Sequence, residues 1–519
     1  MTAERGTTTS PAVVTERPVP GTPRPYDFPS FARARLRNGM SVVSADLAGR
    51  PLVSAALVIR NGASDEEPAR GGAAVLAARA LGEGTERYDA VAFVEAAERL
   101  GASVHAEAGW DATTAWVDVP AERLEPALAL LAEMVANPTF PAREVERLRD
   151  ERLNDLLQAR ADPRRRAEEA FVDTIYTQDS PYHRPAGGTR ATVAGLDPAA
   201  LRTTHERGFD PSRWTLIVGG DLTGLDVPAI ADRLFGEWSP RSGAITGGPV
   251  WAKSAVGDRF VRVIHRPGSV QTEIRIGHVG LRRRIPDFHA VSVMSAILGG
   301  LFNSRLNMKL REEKGYTYGA SAGYDLRRGR GPFAARAAVN TDATVPAVVD
   351  ILAELDRMRD QSVTDAELKA ARDFLVGVFP LRFETPGPVV GALTGLVIHD
   401  LPDDELTRYR PSIEAVTVDD VRLAAGEHLD PRRAAIVLVG DADAFGSALD
   451  SAGVGVVVVE REDGPVELVT EEGVEEEIGP VDQGSGGPTT GADEPDIDDP
   501  DAPHEGASAE RDRDGDQAR

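Results

Sequence analysis

One pattern in this chain occurs twice. Asp210-Pro211-Ser212-Arg213 runs into the apolar stretch Trp214 to Val218 and then Gly219-Gly220-Asp221, while Asp430-Pro431-Arg432-Arg433 runs into Ala434 to Val439 and then Gly440-Asp441. A capped helix precedes each copy, with Asp197 ahead of Leu201 in the first and Thr417 ahead of Val421 in the second. Further upstream a helix opens after a threonine and acidic cluster in each half, over Thr139 to Arg160 and Thr364 to Val378. Strand, turn and helix signals repeated in the same order predict two homologous domains. A chain of 519 residues is in any case too long for a single core.

Within each half the apolar period alternates between strand and helix. Leu52 to Ile59 is continuously apolar, as a buried strand is, and Asn61-Gly62 marks the turn after it. Val91, Val94, Ala97 and Leu100 recur at helical spacing, and Gly101 closes that helix. Ala112 to Val119 reads as a strand, followed by helices from Leu124 to Val135 and Pro141 to Arg160. Strands and helices mixed with few strict βαβ alternations predict an α+β protein built of two homologous α/β sandwich repeats. Composition sets the borders: a Thr-, Pro- and Glu-rich segment 1–26 expected to be disordered, a first repeat 27–238, a Gly- and Pro-rich linker 239–254, a second repeat 255–463, and an acidic tail 464–519 too poor in apolar residues to fold.

Several functions are excluded at this level. The net charge is −25, and about two thirds of it comes from the 21 acidic residues and 4 arginines beyond Val459, so the folded body is only mildly acidic and lacks the basic stripe that nucleic acid requires. The longest apolar runs are far short of a membrane span, and the N-terminus carries no signal-like apolar segment, so the expectation is a cytoplasmic protein that contacts neither membrane nor nucleic acid. The absence of cysteine removes disulfides, thiolate zinc sites and a cysteine nucleophile. Gly299-Gly300 lacks the Lys-Ser/Thr ending of a phosphate loop, and no Gly-x-Ser-x-Gly elbow is present.

The segment Gly72 to Thr85 resembles the zinc helix of the insulinase and pitrilysin family, which includes the mitochondrial processing peptidase. That family's pattern is Gly-x-x-His-x-x-Glu-His, with a Thr six residues after the second His. Two imidazoles one helical turn apart can ligate one zinc while the Glu between them serves as base. Laid without gaps, the His positions fall on Val75 and Arg79 and the Glu position on Ala78. The later acidic ligand is best matched by Asp155, a lone carboxylate where zinc needs three or four ligands. The nine histidines form no local pair, and His105 and His183 are the nearest candidates for a long-range site. The resemblance therefore implies that this chain itself holds no metal.

The second half resembles the family's other motif. Ile297 to Gly319 carries Gly299-Gly300, Ser304-Arg305-Leu306 and Leu310-Arg311-Glu312, with Gly315 and Tyr318 following. Asn303 or Ser304 caps a helix whose Leu306 and Leu310 face the core, Gly315 ends it, and Tyr316 and Tyr318 are expected on one face of a strand. The spacing alone also suits a local ion pair for Arg311 and a half-buried strand position for Tyr318; Arg305 reads as a structural pair. By resemblance, Arg311 and Tyr318 hold substrate backbone: a guanidinium fork reaches peptide carbonyls, and a phenol donates to a carbonyl as charge develops on it. The resemblance spans most of residues 30 to 460. It implies a non-catalytic subunit that binds unfolded peptides beside a zinc-bearing partner with His-x-x-Glu-His. A binding or assembly protein that keeps the fold without proteolysis, and an active peptidase with an unrecognised metal site, are the alternatives.

Overall fold

The computed structural model describes residues 21, 24–49, 51–241, 243–244 and 250–461, together with the two-residue strands Leu468–Val469 and Glu475–Glu476. Most of the expected N-terminal segment and acidic tail, and part of the expected linker, lie outside these residues.

The repeat is visible in the sheets. Strands β1 (Ala32–Arg35), β2 (Ser41–Asp46), β3 (Leu52–Ile59), β4 (Ser103–Ala108), β5 (Thr113–Pro120) and β6 (Thr215–Gly220) form a six-stranded sheet in the order β1-β2-β6-β3-β5-β4. Strands β7 (Phe260–His265), β8 (Gln271–Val279), β9 (Ala320–Tyr324), β10 (Pro332–Asn340), β11 (Ala435–Gly440) and β12 (Val456–Arg461) form the second, ordered β12-β7-β11-β8-β10-β9. The two Gly-ending apolar runs of the repeat are β6 and β11, central and buried at every position. Five strands correspond one to one; only the outer edge differs, since β1 pairs antiparallel with β2 whereas β12 pairs parallel with β7.

Each sheet buries both faces, which is why β3, β6 and β11 read as unbroken apolar runs rather than alternating ones. One face of the first sheet packs on helices that include α1 (Ala73–Ala80), α2 (Ala90–Leu100), α3 (Leu124–Ala136) and α4 (Ala142–Ala161). The other faces are covered by exchange. Helix α5 (Pro163–Ile175) of the first half lies on β8 and β11 of the second, and the helix Pro386–Ile398 of the second half lies on β3 and β6 of the first. Neither half completes its core without the other.

The expected elements are found with local corrections. Gly101 closes α2 in the left-handed region, at φ 63°. The face of α2 is shifted, however: Phe93 and Ala97 are buried while Val91 and Val94 are exposed, because the larger Phe93 side chain takes the inward position one turn before Ala97. Thr364 and Thr417 form capping boxes and Asp197 caps its helix, but Thr139 caps nothing, since α4 starts after Pro141 without a side-chain cap. Tyr316 and Tyr318 do not lie on a strand. The Thr317 hydroxyl closes a turn with both the N–H and C=O of Gly319, and pairing of β9 with β10 begins only at Ala320. No described helix is long and apolar enough to cross a membrane.

Candidate functional site

Helix α1 starts from Gly72, at φ 93°, where a Cβ would lie 2.6 Å from the Gly187 carbonyl oxygen. Its first turn is held by the Glu66 carboxylate, which accepts from the N–H groups of Gly72 at 3.0 Å and Ala74 at 2.6 Å. Arg184 donates to Glu66 at 2.7 Å, and both side chains are almost fully buried, at 4% and 2% exposed. Burial raises the Glu66 carboxyl above its ordinary range, opposed by Arg184 and the helix N–H groups. The carboxylate sits where the helix dipole favours negative charge, so α1 is anchored firmly.

The face of α1 toward α4 carries no metal ligand. Val75 is half-buried, Ala78 is buried, and Arg79 donates from its guanidinium to Glu151 of α4 at 3.1 Å. Arg147 then bridges Glu151 at 2.6 Å, Glu144 at 2.8 Å and Glu83 at 2.8 Å. One turn along α4, Asp155 accepts from Arg152 and from Arg165 at 2.8 Å. Burial opposes ionisation of Asp155, but the two arginines outweigh it and hold the carboxyl below its usual range. Zinc requires lone pairs from three or more ligands, and here a valine and a guanidinium occupy the two imidazole positions while the remaining carboxylate is shared between two cations. These residues do not fit the ion.

The histidines supply no substitute among the described residues. His105 is exposed on the edge strand β4, and the His183 Nδ1 atom lies 2.5 Å from the Ser180 carbonyl oxygen, which fixes it as a donor. His265 lies near Asp441 and Asp443, but its Nδ1 accepts from the Ala442 N–H at 3.1 Å, so the proton of the neutral ring sits on Nε2, facing Asp443. Asp443 is in turn paired with Arg461 at 2.5 Å. The second such group, Asp287, Glu427 and His428, is centred on a 2.6 Å contact between His428 Nε2 and Asp287 that joins two helix ends. Both groups are on the second half and share no residue with α1 or α4.

The second-half motif is open. Ser304 caps the turn Arg305–Asn307, Leu306 and Leu310 are fully buried, and Arg305 pairs with Glu367 at 2.6 Å, as expected of a structural residue. The helix does not continue as a regular α-helix: Ala296–Gly300 and Met308–Glu313 are π-helical turns, a form that recurs at functional sites. Gly299 is needed because a Cβ there would lie 2.1 Å from the Ala322 nitrogen of β9. Arg311, within the second π turn, is about a third exposed; among the described residues its acidic neighbour is Glu312 at 3.6 Å, and its guanidinium lies 4.4 Å from the Phe302 ring centroid. Tyr318 is 93% exposed. Its side chain is thus a solvent-facing phenol at the entrance to β9, not the half-buried strand residue that spacing alone allowed. Phe302, 71% exposed, was not singled out from the sequence; the signal was an aromatic residue wedged between Gly299-Gly300 and a helix cap.

The chain matches two family models. "Insulinase (Peptidase family M16)" covers residues 41–189, and "Peptidase M16 inactive domain" covers residues 195–375. The word inactive thus falls on a span that begins after α1 and α4. An uncharacterized zinc protease of Mycobacterium leprae is 25% identical over 416 residues, covering 78% of this chain and 91% of that protein. A non-peptidase homolog, YmxG, of Helicobacter pylori is 23% identical, covering 63% and 75%. Among solved structures, a peptidase M16 inactive domain from Pseudomonas fluorescens superposes with a TM-score of 0.74 at 26% identity, over 79% of this chain and 98% of that one. A protease from Helicobacter pylori superposes with a TM-score of 0.72 at 19% identity, over 80% and 100%.

Proposed function

The chain belongs to the insulinase family, peptidase family M16, and from that premise we propose that it is a non-catalytic subunit of a two-chain zinc peptidase. In this reading it binds unfolded peptide with Arg311 and Tyr318, while a partner paralogue with His-x-x-Glu-His brings the zinc. The observation that carries the reading is Arg79. A guanidinium stands at the second imidazole position and is bonded to Glu151, so the first half is closed to metal, while Arg311 and Tyr318 in the second half keep donors exposed. Several relatives are named zinc proteases and one a non-peptidase homolog; the missing ligands of this chain align its chemistry with the latter.

An arginine that meets only one distant carboxylate has N–H groups left for peptide carbonyls, and a free phenol can donate to a carbonyl as negative charge develops. Both contacts address the backbone and are indifferent to residue identity, which suits an unfolded substrate. The test is in trans. With the zinc-bearing paralogue supplied, Arg311→Ala or Tyr318→Phe in this chain is expected to lower peptide hydrolysis by about 10²-fold, the usual cost of losing one donor to a developing oxyanion. Complex formation, followed by gel filtration, should be unchanged. Undiminished rates from both variants in an intact complex would favour the assembly-protein reading instead.

A further inference from the structure

A singly exposed aromatic residue is ordinary on a protein surface; it carries information when the backbone that holds it is pinned and a cation packs on its ring. Phe302 is such a residue. The loop that carries it is pinned on both sides: the Leu301 N–H donates to the Ala296 carbonyl at 3.1 Å, and the Ser304 N–H donates to Leu301 at 3.0 Å. Leu301 itself is buried, so the chain cannot fold inward at this point without losing that anchor. The ring stays outside, stacked under the Arg311 guanidinium.

Asn307 connects this loop to the other half of the site. Its amide nitrogen donates to the Leu301 carbonyl at 3.2 Å, and its amide oxygen accepts from the Ala320 N–H at 2.8 Å. One side chain thus ties the Phe302 loop to the start of β9, two residues after Tyr318, and it lies four residues before Arg311. Phe302, Arg311 and Tyr318 are therefore held in one frame whose members come from three separate local structures: a loop, a π turn and a hydroxyl-closed turn.

We propose that Phe302 is a positioning and specificity residue of the peptide site: its ring fixes the plane of Arg311 and presents an apolar surface beside it, so that the site prefers peptides with an apolar side chain next to the carbonyl that Arg311 holds. This rests on the peptide-binding reading above. A guanidinium lying over a ring has its face occupied and its edge free, and the edge carries the N–H groups that meet a carbonyl. The part of the ring that Arg311 leaves uncovered is an apolar surface directly beside the guanidinium, whereas the other exposed ring, Tyr318, ends in a hydroxyl. An aromatic or branched aliphatic side chain would cover it, while a serine would not.

The experiment uses the full-length chain and two fluorescently labelled unstructured peptides, identical except for a leucine in one and a serine at the same place in the other, with affinity read by anisotropy. The leucine peptide should bind more tightly to wild type. Phe302→Ala should weaken the leucine peptide by about twofold to fivefold, the span of an exposed cation–π contact, and should erase most of the difference between the peptides. Phe302→Trp should retain the difference, whereas Arg311→Ala should weaken both peptides alike. An unchanged leucine-to-serine ratio in Phe302→Ala, with binding still dependent on Arg311, overturns this inference alone. If neither peptide binds wild type, the peptide-binding reading falls, and this inference with it.

Discussion

The two copies of one helix, α4 in the first half and Asp365–Val378 in the second, have become opposite surfaces. Val145, Leu148 and Leu156 bury one side of α4; Leu368, Ala371 and Phe379 are buried at the same spacing along the second helix and the turn after it. In that register Glu151 and Asp155 of α4 fall opposite Phe374 and Val378. The first copy kept its carboxylates and neutralised them with Arg79, Arg147, Arg152 and Arg165. The second copy carries apolar residues there, with Phe374 half exposed. The polar groups of the first copy are satisfied within the chain. The exposed groups of the second, Phe374 together with Phe302, Arg311 and Tyr318, are largely not. Two copies of one helix can thus diverge, one pairing its charges within the chain and the other leaving apolar and cationic side chains exposed.

The strongest way to break this contrast is to return metal to the first half. The Arg79–Glu151 pair is nearly half exposed on both sides, so losing it should cost at most about 1 kcal/mol. The combination Val75→His, Arg79→His and Asp155→Glu places two imidazoles one turn apart on α1, facing the α4 carboxylate, and leaves Ala78 untouched. Elemental analysis after dialysis should find about one zinc per chain in the variant and none held stoichiometrically by wild type. Zinc in the wild-type protein would mean that a site exists elsewhere; none in the variant would mean that Arg152 and Arg165 still hold the carboxylate at position 155 or that α1 and α4 no longer stand at ligand separation.

A smaller effect sharpens the comparison at the loops that lead into the two sites. Glu66 and Arg184 are buried together at the start of α1, whereas the loop after β8 uses Arg283 and Glu405, at 2.9 Å and 15% and 10% exposed. Removing one partner of a buried pair strands the other charge. Glu66→Ala should therefore cost about 3–5 kcal/mol, and Glu405→Ala less, because water still reaches that pair. Urea unfolding of both variants checks the order. Replacing Glu66 and Arg184 together by methionine should recover only the part due to the stranded charge, because the Gly72 and Ala74 N–H groups still lose their acceptor.

The halves also differed in how legible they were. Apolar runs bounded by Asp-Pro and Gly-Asp are determined locally, so β6 and β11 and their helix caps could be read directly, and the missing imidazoles at Val75 and Arg79 needed only a register. Three features were not local. The exchange of α5 and Pro386–Ile398 between sheets cannot be seen in either segment, since a helix's apolar face does not say which sheet it covers. Phe302 looks like a core residue by type, and only the pinned loop turns it outward. Tyr318 follows the alternation of a strand, but the Thr317 hydroxyl competes for the Gly319 backbone and delays pairing until Ala320.

The last contrast concerns a single buried ring. The helices Pro198–Gly208 and Val418–His428 are repeat partners, with buried Leu201 opposite Val421, and in that register His205 falls opposite Ala425. His205 sits among Phe140 and Phe209, with its Nε2 buried and unpartnered. Burial, helped by the nearby Arg241 charge, drops its pKa from 6.5 to about 3. The folded state therefore keeps the ring neutral at pH values where the unfolded chain protonates it, so the unfolded state binds more protons and stability falls as the pH is lowered. The loss begins near the unfolded value of about 6.5, grows by about 1.4 kcal/mol per unit, and stops only near the folded value. At pH 5 it amounts to about 2 kcal/mol. His205→Phe keeps a flat ring in the aromatic cluster and removes the titration, so urea unfolding between pH 7 and pH 5 should lose that increment of slope. Ala425 gives the repeat-partner helix no such group at this position. An equal pH slope in wild type and His205→Phe would show that the ring reaches water and that the two helices are alike in this respect after all.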